Sequence, residues 1–166
     1  MVQGDPVSIR LFDNWVRMVS GERPEQCGLA GVCTSQMVIE ADGSVYPCDF
    51  YVTDEWRLGS VHDHAFSELA AAPVARRFVE ASCQVPDDCQ ACRWYRICRN
   101  GCRRDREPST ETGQNGLNHF CQAYKIFFDQ AMPRLVQLAR MWQLNRPSGP
   151  GPSDGPGAAA GPGGRD

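Results

Sequence analysis

Long apolar runs, an excess of basic residues and an export signal are all missing from this sequence of 166 residues. Each absence removes a class of function. No stretch approaches the ~20 apolar residues that crossing a bilayer requires, so no membrane partner is expected. A net charge of −3 gives no electrostatic reason to bind nucleic acid, and none is expected as a partner. The opening Met1-Val2-Gln3-Gly4-Asp5-Pro6 lacks the basic and apolar regions of a secretory leader, which points to a reduced, cytoplasmic setting. Internal repeats are missing too. Histidine is scarce: His62 and His64 are expected to face solvent, and His119 to pack beside Cys121 rather than ligate.

What the chain does have is an ordinary globular composition, 42% hydrophobic and 22% charged, enough for one domain with some length left over. Val7 to Val19 has Leu11, Phe12, Trp15, Met18 and Val19 at helical spacing, with Gly21 as a stop. Residues 37–40 and 44–46 alternate like strands around Ala41-Asp42-Gly43, a β-hairpin signal. Pro47 then ends the pairing and leaves Cys48 and Asp49 just past a strand. Ala65 to Glu80 reads as helix divided at Pro73. Residues 83–116 show no apolar period and need a source of order other than burial. Leu117 to Leu144 is helical, with Phe120, Tyr124, Phe127, Phe128, Leu135 and Leu138 near one stripe and a kink or break at Pro133. Twelve of the 21 residues from Arg146 onward are Gly or Pro, which predicts a disordered tail.

The nine cysteines do not fit a reducing compartment unless they bind something. They run Cys27-x5-Cys33-x14-Cys48, Cys83, Cys89-x2-Cys92-x5-Cys98-x3-Cys102, and Cys121. Eight make two four-thiolate sites, with one left over. Two readings of such sites stay open on spacing. Structural zinc draws on close pairs, of which only Cys89 and Cys92 qualify; wider, uneven spacing suits a cluster that needs ligands from separated directions. Arg93, Arg96, Arg99, Arg103, Arg104 and Arg106 would offset the negative charge of such a cluster, or form a solvated face paired with Asp105 and Glu107.

The set Cys33-x9-Gly43-x4-Cys48, Cys89-x2-Cys92-x5-Cys98-x3-Cys102 and Cys121 resembles the seven-cysteine SPASM motif of radical-SAM enzymes. The segments Gly31-Val32-Cys33-Thr34-Ser35-Gln36, residues 42–52 and Asn118-His119-Phe120-Cys121 look like anaerobic sulfatase-maturating enzymes, which oxidise a Cys or Ser of a sulfatase to formylglycine. The likeness covers roughly residues 7 to 140. It implies two 4Fe–4S clusters, the first on Cys27, Cys33, Cys48 and Cys102, the second on Cys89, Cys92, Cys98 and Cys121. It also implies Asp49 as the base that deprotonates the substrate residue. Cys83 has no place in this scheme and is expected to be a free thiol.

Two departures stand out. Asn100-Gly101-Cys102 replaces the frequent Gly-Gly-Cys, and no Cx3Cx2C triad, the motif of the SAM-cleaving cluster, occurs in the chain. S-adenosylmethionine and a third 4Fe–4S cluster are therefore expected only in a missing N-terminal part. This chain reads as a fragment, inactive alone, whose partners are an upstream radical-SAM domain and a sulfatase or other peptide substrate.

The expected fold class is α+β: an N-terminal helix, a β-hairpin and helices wrapped around two iron–sulfur clusters. Residues 1–26 form the helix and linker that end the upstream part, 27–144 the two-cluster domain, and 145–166 the disordered tail. The alternatives are the same domain on another peptide-modifying radical-SAM maturase, or a non-catalytic binding module stapled by zinc or iron–sulfur. Tyr51 is expected to pack as a strand residue.

Overall fold

The computed structural model describes residues 7–108 and 115–145. The first helix, α1 (Arg10–Val19), buries Asn14, Trp15 and Met18. They meet the long C-terminal helix α7 (Cys121–Leu144). The Trp15 ring lies 4.8 Å from Phe127 and edge-on to Phe128 at 5.2 Å. Leu29, Ile97 and Leu135 complete this core. Each such aromatic pair adds about 0.5–1.5 kcal/mol beyond burial. The first and last helices are thereby held together.

Next come α2 (Cys27–Ala30) and a three-stranded antiparallel sheet, β1 (Val38–Ile39), β2 (Ser44–Tyr46) and β3 (Gly59–Ser60), in that spatial order. Val38 pairs with Tyr46, and Ser44 with Ser60. Gly43, at φ +80°, supplies the left-handed turn conformation. Asp42 Oδ1 accepts the Ser44 N–H at 2.9 Å, closing the turn locally. As the central strand, β2 is buried along its whole length. Pro47 ends it, and its carbonyl accepts the Gln36 N–H at 2.8 Å.

Helices α3 (Phe66–Ala71) and α4 (Pro73–Glu80) follow, with Pro73 opening the second, where its missing N–H leaves no bond unmade. Val45, Trp56, Leu69, Ala75 and Phe78 are also buried, and the Trp56 and Phe78 rings meet edge-on at 5.4 Å. The segment without apolar period contains two single-turn helices, α5 (Asp87–Gln90) and α6 (Tyr95–Cys98), a 3-10 turn (Arg103–Asp105), and β4 (Arg106–Pro108), which pairs with β5 (Asn115–Asn118).

The architecture is thus α+β, as the sequence implies. Several local expectations need correction. The last helix starts at Cys121, not Leu117, because Leu117 and Asn118 belong to β5. Asn118 Oδ1 then accepts the Phe120 N–H at 2.8 Å and turns the chain into the helix. His119 therefore lies in a turn, and Phe120 is half exposed rather than on the core stripe. Helix α7 runs through Pro133 without a break. The proline is exposed, so water can satisfy the carbonyl freed one turn earlier. Tyr51 sits in a 3-10 turn (Asp49–Tyr51), edge-on to Phe78 at 5.1 Å, not in a strand. His62 and His64 are exposed, as expected. The tail from residue 146 lies outside the described residues. Among the described residues no helix is long and apolar enough to cross a membrane.

Candidate metal centre

All nine cysteines carry free thiols. Their electrostatic neighbours sort eight of them into two groups. In the first, Cys102 acts on Cys33, Cys33 on Cys48, and Cys27 on Cys102. In the second, Cys98, Cys121 and Cys92 all act on Cys89, and Cys121 and Cys92 on Cys98. Cys83 stands apart, exposed beyond α4, its thiol donating to the Val79 carbonyl at 3.4 Å.

In the first group, Cys27 opens α2, and the Gln36 amide lies 3.7 Å from its sulfur. Cys33 is tethered through its backbone N–H to Ser82 Oγ at 2.8 Å. Burial raises the Cys33 thiol above its ordinary value, with Ser82 opposing. Cys48 is pushed up to about 11, mainly by burial; the Phe50 N–H opposes this, and Asp49 beside it adds to it. The Cys102 thiol is also raised by burial, against the Arg104 N–H.

The second group lines a small cavity of about 20 Å³, shared with Trp94, Tyr95, Asn118 and Tyr124. Cys89 is buried in α5 and pushed up to about 11 by burial and then by its three thiol neighbours. Cys98 ends α6, raised by burial while the Asn100 N–H lowers it. Cys121 opens α7, whose N-terminal dipole favours negative charge. Thiols raised this way hold their protons until a metal replaces them, so loading each site releases protons.

Between Cys98 and Cys102 the backbone is left-handed at three successive residues, Arg99 (φ 49°), Asn100 (φ 63°) and Gly101 (φ 63°). Such a run costs of order 1–3 kcal/mol for each non-glycine residue and persists only where its surroundings determine it. Here they do. Asn100 Oδ1 accepts the Asn118 N–H at 2.8 Å, and its amide donates to the Gly116 carbonyl at 3.0 Å. The buried Arg106 donates to the carbonyls of Ser82 (2.7 Å), Gly31 (2.7 Å), Gly101 (3.0 Å) and Asn100 (3.3 Å). Its positive charge lowers Cys33 and Cys102 in one group and Cys89 and Cys98 in the other.

The basic run is not one solvated face. Arg93 pairs with Asp129, Arg106 is interior, and Glu107 faces His119 at 2.9 Å, so neither Asp105 nor Glu107 appears in an arginine ion pair among the described residues. Arg106, Asn118 and Ser82 are positioning residues that sequence reasoning did not single out, and Asn100 stood out there only as a departure from the family pattern. Arg106 lay within the arginine run, with nothing in its spacing to separate it from the others.

Do these residues fit an iron–sulfur cluster? Soft thiolate donors are the chemistry such clusters take. Arg103 Nη1 and Ser35 Oγ are buried without a hydrogen-bond partner among the described residues, and both flank cysteines of the first group. A group with sulfur acceptors would satisfy such donors. Among the described residues no three His, Cys, Asp or Glu side chains are drawn together tightly enough to hold one metal ion. Asp49 is exposed, with its Oδ1 3.3 Å from the Cys48 sulfur.

The chemistry of these thiols is that of cluster-binding proteins, and the comparisons bear on that class. Residues 27–93 match the SPASM iron–sulfur cluster-binding domain. More particularly, the chain is homologous to the SPASM region of Cys-type anaerobic sulfatase-maturating enzymes of the radical-SAM class. It is 45% identical over 138 residues to that enzyme of Clostridium perfringens, covering 83% of this chain and 37% of the relative. It is 42% identical to the Clostridium novyi enzyme over 139 residues, covering 84% and 37%. A Serine-type enzyme of Bacteroides thetaiotaomicron is 30% identical over 126 residues, covering 75% and 30%. The solved structure of native anSMEcpe with bound AdoMet superposes with a TM-score of 0.78 at 43% identity, over 84% of this chain and 38% of that one. The same protein has been solved with AdoMet and the Cp18Cys peptide. The chain therefore spans about a third of the length of these relatives.

Proposed function

We propose that this chain is the auxiliary-cluster domain of a Cys-type sulfatase maturase, with one 4Fe–4S cluster on Cys27, Cys33, Cys48 and Cys102 and another on Cys89, Cys92, Cys98 and Cys121. The observations that support this reading are the 45% identity to a Cys-type maturase over 138 residues and the single cavity lined by Cys89, Cys92, Cys98 and Cys121. When bound, such clusters supply one-electron redox capacity.

The rest is the work of this chain's own residues. The N–H groups of Phe50, Asn100 and Arg104 donate toward cysteine sulfurs and favour the thiolate form. Arg106 adds positive charge on the side of both groups. In this reading Asp49 accepts a proton from the substrate Cys, and its exposure beside Cys48 supports that role. Radical generation from S-adenosylmethionine belongs to an upstream radical-SAM domain with its own cluster, because this sequence holds no Cx3Cx2C. The substrate is a Cys-containing sulfatase peptide, and the thiols need a reducing cytoplasm to stay free.

Asp49→Asn in the intact enzyme tests this. Turnover of a sulfatase Cys-x-Pro-x-Arg peptide should fall about 10²–10⁴-fold with iron content unchanged. Full turnover in that variant would remove Asp49 from the chemistry. The 166 residues alone should not cleave S-adenosylmethionine.

A further inference from the structure

Arg103 is held differently from its neighbours. Its guanidinium carbon lies 4.8 Å from the Trp56 ring centroid, 5.0 Å from Tyr51 and 5.4 Å from Phe78. The three rings contact one another edge-on and form a cage. Three cation–π contacts in a largely desolvated cage hold the head group in place. Yet Nη1, a buried donor, has no partner among the described residues. Leaving such a donor unpaired is costly, and a native structure tolerates it where a ligand later supplies the acceptor. Arg103 directly follows Cys102, and its charge also acts on Cys33. Both belong to the first thiol group. By contrast, Arg104 lies exposed over Phe50, at 4.1 Å.

We propose that Arg103, clamped by Tyr51, Trp56 and Phe78, is a positioning residue that donates an N–H···S hydrogen bond to the first iron–sulfur cluster and raises that cluster's potential relative to the second. This rests on the two-cluster reading above. A hydrogen bond and a fixed positive charge beside the cluster stabilise its more negative, reduced form. No atom is transferred; the effect is on the equilibrium for one-electron uptake.

The test is an EPR-monitored redox titration of the anaerobically reconstituted chain and of its Arg103→Met, Arg103→Lys and Arg104→Met variants. Methionine keeps an apolar stem inside the cage, so packing is retained. The expected result is that Arg103→Met lowers one midpoint by at least a tenfold change in the one-electron equilibrium, about 59 mV. The other midpoint stays put, Arg103→Lys falls between, and Arg104→Met moves neither. In a Cys89→Ser, Cys121→Ser background, which removes the second cluster, the lowered midpoint should persist. Unmoved midpoints in Arg103→Met, equal shifts of both, or an equal effect of Arg104→Met would overturn the proposal. If Arg103→Met loses the first cluster, the Arg103→Lys midpoint decides, and an unchanged value there overturns it. A parent chain that binds no iron would defeat the two-cluster reading instead.

Discussion

Asn100 sits at φ +63° between two other left-handed residues, and the family pattern more often has glycine there. Asparagine tolerates this conformation, and its side chain adds two hydrogen bonds that glycine cannot make. Two substitutions separate these effects. Asn100→Gly should lower the thermal midpoint through the lost bonds, and Asn100→Ala should lower it further, by about 1–2 kcal/mol of left-handed strain. Equal losses would show that the backbone is not held in that region. Asp42 offers a pH-dependent counterpart. The Ser44 backbone N–H and hydroxyl hold its carboxyl below the usual carboxylate value of 3.8. Its contribution is complete above that value and is lost as pH falls through the lowered one. Asp42→Asn should therefore lower stability at neutral pH more than in acid and flatten the acid limb of a stability-against-pH curve. The turn at Asp42-Gly43 was legible because its residue types are dictated locally. The strain at Asn100 was not, because it is imposed by Asn118 and Gly116, far along the chain.

Among the elements, β4 does most to join the parts, through Arg106. Its guanidinium reaches the Gly31, Ser82 and Gly101 carbonyls, each in a different segment. Arg106→Gln cannot span them and should cost about 3–5 kcal/mol, read as a lower denaturant midpoint. A loss under 1 kcal/mol would mean that the segments hold without it. The helices α1, α3 and α4 and the hairpin could be read from apolar period, Gly43 and Pro73, since burial alone shapes them. The short α5, α6, β3, β4 and β5 could not. They run for two to four residues and are fixed by contacts to distant backbone, which leave no period in the sequence. The same reason placed the start of α7 four residues too early: nothing in Leu117-Asn118 signals pairing with β4.

At the scale of the whole molecule, the proposed ligand sets cross. Cys98 and Cys102 lie on one short strained segment yet serve different clusters, which ties the sheet half to the α1–α7 half. Cys102→Ala should therefore halve the bound iron and also loosen protection of the α1–α7 core in hydrogen exchange. Retained protection would show that the halves are independent. The proposed grouping of cysteines comes from family likeness, because spacing alone left zinc and iron–sulfur both open. The measurement that bears most directly on this account is metal and sulfide content after anaerobic purification and reconstitution. The account predicts about eight irons and eight acid-labile sulfides per chain, with a broad absorbance near ~400 nm. Two zinc ions and a colourless protein would contradict it.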